Sequence, residues 1–151
     1  MKPPNRFESK KVIAFCHLPK TGGVNLNHIL RSQFGTQHLD SIVRFKPGTK
    51  SNQPYYSADD LQQDRWVYPR IKSIGGHYLC PAHDYGEFGK QFAWLTILRD
   101  PVRRYVSHYS QWVEKMNVAI DFETWMNREK IHDTQVKTIA GKKDLELAKQ
   151  L

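Results

Sequence analysis

Lys20, His77 and Arg99 each stand in a setting suited to moving an anionic group. Lys20 lies in Phe15-Cys16-His17-Leu18-Pro19-Lys20-Thr21-Gly22-Gly23-Val24-Asn25. An apolar run from Val12 enters this stretch, and Val24, Ile29, Leu30 and Phe34 leave it near helical spacing, so it reads as strand, tight loop, helix. Gly22 and Gly23 let a backbone approach a ligand closely. The helix start behind them offers unpaired N–H groups and the positive end of a dipole, and Lys20 adds an ammonium donor. Together these make a socket for a phosphate or sulfate ester. His77 ends the run Ile71-Lys72-Ser73-Ile74-Gly75-Gly76, and a neutral imidazole there could take a proton from a hydroxyl. Arg99 opens Arg99-Asp100-Pro101-Val102-Arg103-Arg104-Tyr105-Val106-Ser107-His108-Tyr109. Its forked guanidinium could hold a phosphate two-handed, and Ser107, two turns into the helix, could add a hydroxyl. Arg103 shares that face, while Arg104 can pair with Asp100. Plainer readings exist for each: a Gly-Gly turn beside a surface lysine, a structural histidine, a capped helix with solvated arginines.

The elements that must position these residues follow from spacing and punctuation. Residues 1–11 read as a polar arm, and the first strand–helix unit runs to Phe34. Pro47-Gly48, Asn52 and Pro54 break up the pattern that follows, leaving one short strand over residues 42–45. Ser57 and Asp60 form a capping box for a helix reaching Trp66. A strand over 71–74 delivers His77, and residues 80–90, with Pro81, Gly86 and Gly89, read as a loop. Residues 91–98 are nearly continuous apolar sequence, the pattern of a parallel strand buried on both faces. Asp100 is a good N-cap with Pro101 at the first helical position. Val102, Tyr105, Val106, Tyr109, Trp112, Val113 and Met116 give the helix behind them an inward stripe. A short helix starts at Asp121 with Phe122, Trp125 and Met126 inward, and two helical pieces, 134–140 and 144–151, are broken at Gly141. With no repeat or linker, the expectation is one α/β domain over 1–151, layered around a mostly parallel sheet. Ligands of such sheets sit beyond the strands' carboxyl ends, where the Lys20 loop, His77 and Arg99 all fall.

The 151 residues suffice for one core, and 23 Lys and Arg against 15 acids give a net charge of +8. That excess suits an anionic partner: an anionic cofactor, an acidic glycan or nucleic acid. No nucleic-acid motif is present, so none is expected as partner. Cys16 and Cys80 make no disulfide framework, and no N-terminal apolar stretch suits a signal peptide or membrane span, which favours a cytoplasmic setting. His77, Cys80 and His83, with Cys16-His17, are a weaker alternative as zinc ligands, since zinc sites usually show tighter paired spacings. His28, His38, His108 and His132 read as surface or helix-face residues, and Trp66, Trp94, Trp112 and Trp125 as core.

A Walker A loop carries its lysine after the glycines, whereas Lys20 and Thr21 precede Gly22-Gly23. Pro-Lys-Thr-Gly-Gly instead resembles the 5′-phosphosulfate loop of sulfotransferases that use 3′-phosphoadenosine 5′-phosphosulfate (PAPS). Arg-Asp-Pro-x-x-Arg-x-x-Ser-x-Tyr resembles their 3′-phosphate motif, and Gly-Gly-His between the two resembles the base segment of the carbohydrate enzymes. The resemblance implies a P-loop-like three-layer domain in which Lys20, Thr21, Gly22, Gly23 and Val24 hold the 5′ end of the nucleotide. Asn25 can donate where the family carries a hydroxyl, while Arg99 and Ser107 hold the 3′-phosphate. It implies His77 as base and Lys20 as the cation that neutralises the leaving phosphate, with no metal required. The acceptor would be a hydroxyl, most plausibly of a carbohydrate. Residues 133–141 resemble a further segment of bacterial sulfotransferases. Chains of that family continue with another strand and a loop, which would make this one C-terminally short. The rival readings are a P-loop nucleotide kinase or other phosphotransferase, and a non-catalytic binder of anionic glycan or nucleic acid.

Overall fold

The computed structural model describes residues 11–42, 55–128, 132–141 and 144–150. The apolar run makes β1, Val12–Cys16, and the sheet is built outward from it. On one side lies β3, Ser73–Gly76, with Cys16 opposite Gly76; on the other lies β4, Phe92–Thr96, with Cys16 opposite Thr96. β2, His38–Asp40, flanks β3, with Asp40 opposite Gly75. All pairings are parallel and the order is β2-β3-β1-β4. Parallel neighbours need crossovers. Helix α1, Gly23–Phe34, follows β1; α2, Ala58–Val67, separates β2 from β3; and a one-turn α3, Gly86–Gly89, precedes β4. One face of the sheet packs Val12, Ala14 and Ile74 against Leu61 of α2 and Tyr85 beside α3. The other face carries Phe15 and Gly75, and α1 lies on it, with Asn27 and Gly23 against those residues. The result is the expected α/β layering with a parallel sheet between helices.

Beyond β4 come α4, Pro101–Met116, α5, Phe122–Met126, α6, Thr134–Ala140, and α7, Leu145–Gln150. The capping signals act as read. Ser57 Oγ accepts from Asp60 N at 3.2 Å, and Asp60 Oδ2 accepts from Ser57 N at 3.0 Å. Asp100 Oδ1 accepts from Arg103 N at 2.8 Å. Among the described residues no helix is long and apolar enough to cross a membrane.

Several expectations are corrected. The second strand is His38–Asp40, not 42–45; of that span only Ile42 is described, and it lies outside the strand. Pairing with β3 selects these residues, since Lys72 N donates to Gln37 O and Ser41 N to Gly75 O, a choice that hydropathy does not encode. The proposed arm, apart from Lys11, lies outside the described residues. The 80–90 loop contains α3. β4 is half-buried with Leu95 40% exposed, because among the described strands it is an edge, paired only with β1. Val102, Val106 and Met116 are exposed, while Arg104 is fully buried with its guanidinium 4.5 Å from the Tyr105 ring. What α4 meets instead is aromatic: Tyr105, His108 and Tyr109 set their rings against Trp125. Trp125 is core as expected, but Trp66 is 86% exposed. It lies two residues past buried Asp64, about 200° around the helix, and so faces outward. His38 is not a surface residue: it is buried, with Nδ1 bonded to Ser73 Oγ at 2.8 Å.

Ser57→Ala removes the capping oxygen, leaving the Asp60 amide without its acceptor. It should cost about 1–2 kcal/mol in urea unfolding, with Ser57→Thr retaining most of that; an unchanged midpoint in Ser57→Ala would show that the cap contributes nothing.

Candidate functional site

Because Cys16, Gly76 and Thr96 stand abreast, the chain leaves β1, β3 and β4 at one rim. The loop after β1 is braced from within and from outside. Thr21 Oγ1 donates to Leu18 O at 3.0 Å, so the Thr21 hydroxyl turns inward and only its main chain is left to meet a ligand. Lys20 has φ +67, a left-handed conformation that costs a non-glycine residue on the order of 1 kcal/mol. Its carbonyl is held by Arg99, whose Nη1 donates to Lys20 O at 3.1 Å. Gly22, at φ +94, starts α1 with no side-chain cap, and nothing lies within 4 Å of where its Cβ would be. Uncapped N–H groups, open space and two cationic side chains fit an anionic ester. Val24 and Asn25, both exposed, occupy the first turn.

Arg99 is itself clamped. Its N–H donates to Gln135 Oε1 at 3.0 Å, and Gln135 Nε2 donates to its carbonyl at 3.0 Å. Gln135 sits on α6, which docks on α4 where Asp133 N donates to the Tyr105 hydroxyl at 3.2 Å. Ser107 lies half-buried on α4, two turns beyond Arg99. Lys20 lies close enough to α4 that its charge, after burial and Arg104, helps hold the His108 imidazole below its ordinary value.

His77 leans on the same loop. Its Nδ1 is 2.8 Å from His17 O. A carbonyl oxygen only accepts, so Nδ1 carries the hydrogen, and in the neutral ring the lone pair is on Nε2. The His77 ring stacks on His17 at 4.0 Å between centroids and 25° between planes, and His17 stacks on Phe15 at 5.3 Å. Burial first, and His77 second, push the His17 imidazole down to about 4. Gly23 makes room for this stack: a Cβ there would collide with the His17 ring and with Phe15 Cζ. Ligand approach is therefore not the whole reason for the second glycine.

Beside His77 opens a cleft of about 380 Å³. One wall is a face of α1, with Val24, Asn27, His28 and Arg31 at the 3, 4, 7 spacing; Asp40, Ser41 and Tyr78 stand across it, and Gly75 and Gly76 also line it. Arg31 grips Asp40 two-handed, Nε to Oδ2 at 3.1 Å and Nη2 to Oδ1 at 2.7 Å. Asn27 Nδ2 donates to the same Oδ1 at 3.1 Å. Burial alone would raise the Asp40 carboxyl, but the hydrogen bonds from Arg31 and Asn27, with the Arg31 charge, hold it below its ordinary value.

The structure thus joins Lys20, Arg99 and His77 through two carbonyls of one loop, those of His17 and Lys20. Val24 shares the cleft with His77, whereas Lys20, Arg99 and Ser107 do not line it. Of the zinc alternative, Cys80 Sγ donates to Ile139 O at 3.3 Å and the His83 ring sits on Tyr55 at 4.4 Å. Among the described residues no group of three His, Cys, Asp or Glu side chains is gathered to hold a metal. Sequence reasoning gave His17 only as part of the zinc alternative, and missed Asn27, Arg31, Asp40 and Gln135. The helical spacing along α1 could have singled out Asn27 and Arg31; nothing in the sequence marks Asp40 as their partner.

A model of the sulfotransferase family matches residues 5–149. No curated protein and no solved structure gives a significant match. The chain belongs to the sulfotransferase family.

Gly23→Ala should displace His17, destabilise the fold by about 1–3 kcal/mol and change the His77 tautomer signature in ¹⁵N NMR; an unaltered signature would contradict the packing described. The unfolded chain takes a proton at His17 that the folded chain refuses, so stability is complete above about pH 6.5 and falls toward about 4. His17→Phe should flatten that acid limb by on the order of 1–3 kcal/mol. His38, His83 and His108, lowered chiefly by burial, act with the same sign in both proteins and cancel in the difference. Identical pH slopes in His17→Phe and the parent would refute the assignment.

Proposed function

We propose that this member of the sulfotransferase family transfers a sulfuryl group from PAPS to a hydroxyl of a carbohydrate, with His77 as general base. The observation that carries the reading is the bond from His77 Nδ1 to the His17 carbonyl. It leaves Nε2 as a proton acceptor on a residue that lines a cleft, braced against the loop that also bears Lys20. Bound PAPS would supply an activated sulfuryl group with a phosphate as leaving group. Lys20 and the main chain of Thr21, Gly22, Gly23, Val24 and Asn25 would hold its 5′ end, and Arg99 and Ser107 its 3′-phosphate.

The acceptor hydroxyl would enter from the Val24 side of the cleft. Its proton would pass to His77 Nε2 as its oxygen attacks, which is the task of a base near neutrality. The Lys20 ammonium and the uncapped N–H groups of α1 would offset the charge growing on the leaving phosphate, and they do so best because they are fixed beforehand. His17, kept neutral by burial, supports His77 without placing a second positive ring beneath it. Gln135 would fix where Arg99 points by holding its backbone on both sides.

Calorimetry with 3′,5′-adenosine bisphosphate tests the nucleotide assignment. Arg99→Ala should weaken its binding by about 10- to 100-fold, since a charged hydrogen bond is worth roughly 1.5–3 kcal/mol. Binding of adenosine 5′-phosphosulfate, which lacks the 3′-phosphate, should weaken less, through loss of the Lys20 brace alone. Tighter binding of Mg-ATP than of the bisphosphate would favour a phosphotransferase instead. His77→Ala should keep bisphosphate binding and lose transfer by roughly 10²–10⁴-fold; transfer at the parent rate would dismiss His77 as base.

A further inference from the structure

We infer that the cleft beside His77 selects a neutral ring bearing adjacent hydroxyls, and that the Arg31–Asp40 pair reads those hydroxyls. The inference deepens the reading of this cleft as the acceptor site and rests on it for the cleft's role.

The net charge of +8 invites an acidic acceptor, but the described residues that line this cleft carry one arginine and one aspartate. Among the described residues lining it, Arg31 and Asp40 are the only Lys, Arg, Asp or Glu, and they are bonded to each other. A carboxylate on an entering ring would meet an arginine already paired and an aspartate of like charge. A pair of hydroxyls meets a better surface. Arg31 engages two of its five N–H donors on Asp40, and the others remain. Asp40 accepts from Arg31 twice and from Asn27 once, leaving lone-pair capacity on Oδ2. Fixed donors thus stand next to a fixed acceptor. One hydroxyl can accept from the guanidinium while its neighbour donates to the carboxylate. Both side chains are reachable, at 47% and 38% exposure.

The pair is also held in place more firmly than its stability value warrants. Ion pairs this exposed contribute little to folding. Yet Asn27 is buried to orient Asp40, and its Oδ1 is left without a partner among the described residues, against Gly75. Burying an unpaired oxygen opposes folding, so the placement of Asn27 calls for a reason beyond stability.

The test titrates the protein with methyl β-glucoside and with methyl β-glucuronide, which share their ring hydroxyls and differ by a carboxylate. The amides of Gly75, Gly76 and Tyr78 report the cleft by NMR. The parent should bind the glucoside at least 5-fold more tightly than the glucuronide. Asp40→Asn frees the Arg31 charge, so glucoside binding should weaken and glucuronide binding strengthen, each several-fold. Loss of structure lowers both and cannot produce opposite signs. Should Asp40→Asn fail to fold, Arg31→Met serves: both ligands should weaken, the glucuronide to below detection. A parent that prefers the glucuronide, a folded Asp40→Asn that moves both ligands in the same direction, a folded Arg31→Met that binds the glucoside as the parent does, or shifts absent from these amides would overturn the inference. Bisphosphate binding measured alongside separates that failure from failure of the sulfotransferase reading, because the residues assigned to the nucleotide do not include Arg31 or Asp40.

Discussion

The site depends on the register of three parallel strands. With Cys16 abreast of Gly76 and Thr96, the residues that follow β1, β3 and β4 emerge at one rim. His17 N continues the ladder to Gly76 O at 3.1 Å, and Thr96 Oγ1 donates to Cys16 O at 2.9 Å, so the register is tied where the strands end. A slip of one residue in a strand would turn each of its side chains to the other face. Phe15, fully buried beneath α1, and Ala14, fully buried under α2, leave β1 no alternative register.

From that rim the chemistry is organised through main-chain carbonyls more than through side-chain pairs. His17 O orients an imidazole and Lys20 O receives a guanidinium, three residues apart on one loop. Each bond runs from a distant element back to the loop. The loop therefore cannot shift without moving both partners, and the left-handed Lys20 is held in a conformation it would not adopt alone. This coupling ties together residues separated by 79 positions.

Much of this was legible in the sequence, for local reasons. Pro19-Lys20-Thr21-Gly22-Gly23 between an apolar run and a helical pattern specified a strand–loop–helix turn, and the Ser57 and Asp100 caps fell where their side chains could reach the first amides. What failed was whatever depends on a neighbour. The apolar stripe of α4 suggested Val102 and Val106 inward, but both are exposed, and the helix buries Arg104 and sets His108, with Tyr105 and Tyr109, against Trp125 instead. His38 looked like a surface residue because nothing local announces the Ser73 hydroxyl that receives it. Asp40 stayed invisible for the same reason: its partners, Asn27 and Arg31, lie 13 and 9 residues away on another element.

One helix links the two halves of the site. The N-terminus of α1 follows the Lys20 loop, its inner side packs on Phe15 and Gly75, and its third face, Val24 to Arg31, walls the cleft. Seven residues at 1.5 Å each place Arg31 about 10 Å along the axis from Val24. That interval is fixed by backbone geometry and independent of side-chain choice. It therefore sets how far a group recognised at the fork can stand from one reacting near the loop, and the spacing holds as long as the helix does. Gly75 and Gly76 complete the arrangement from the sheet. Without side chains they let Asn27 and Ser41 close in on the end of β3, so the cleft floor is backbone and its chemistry is left to the walls.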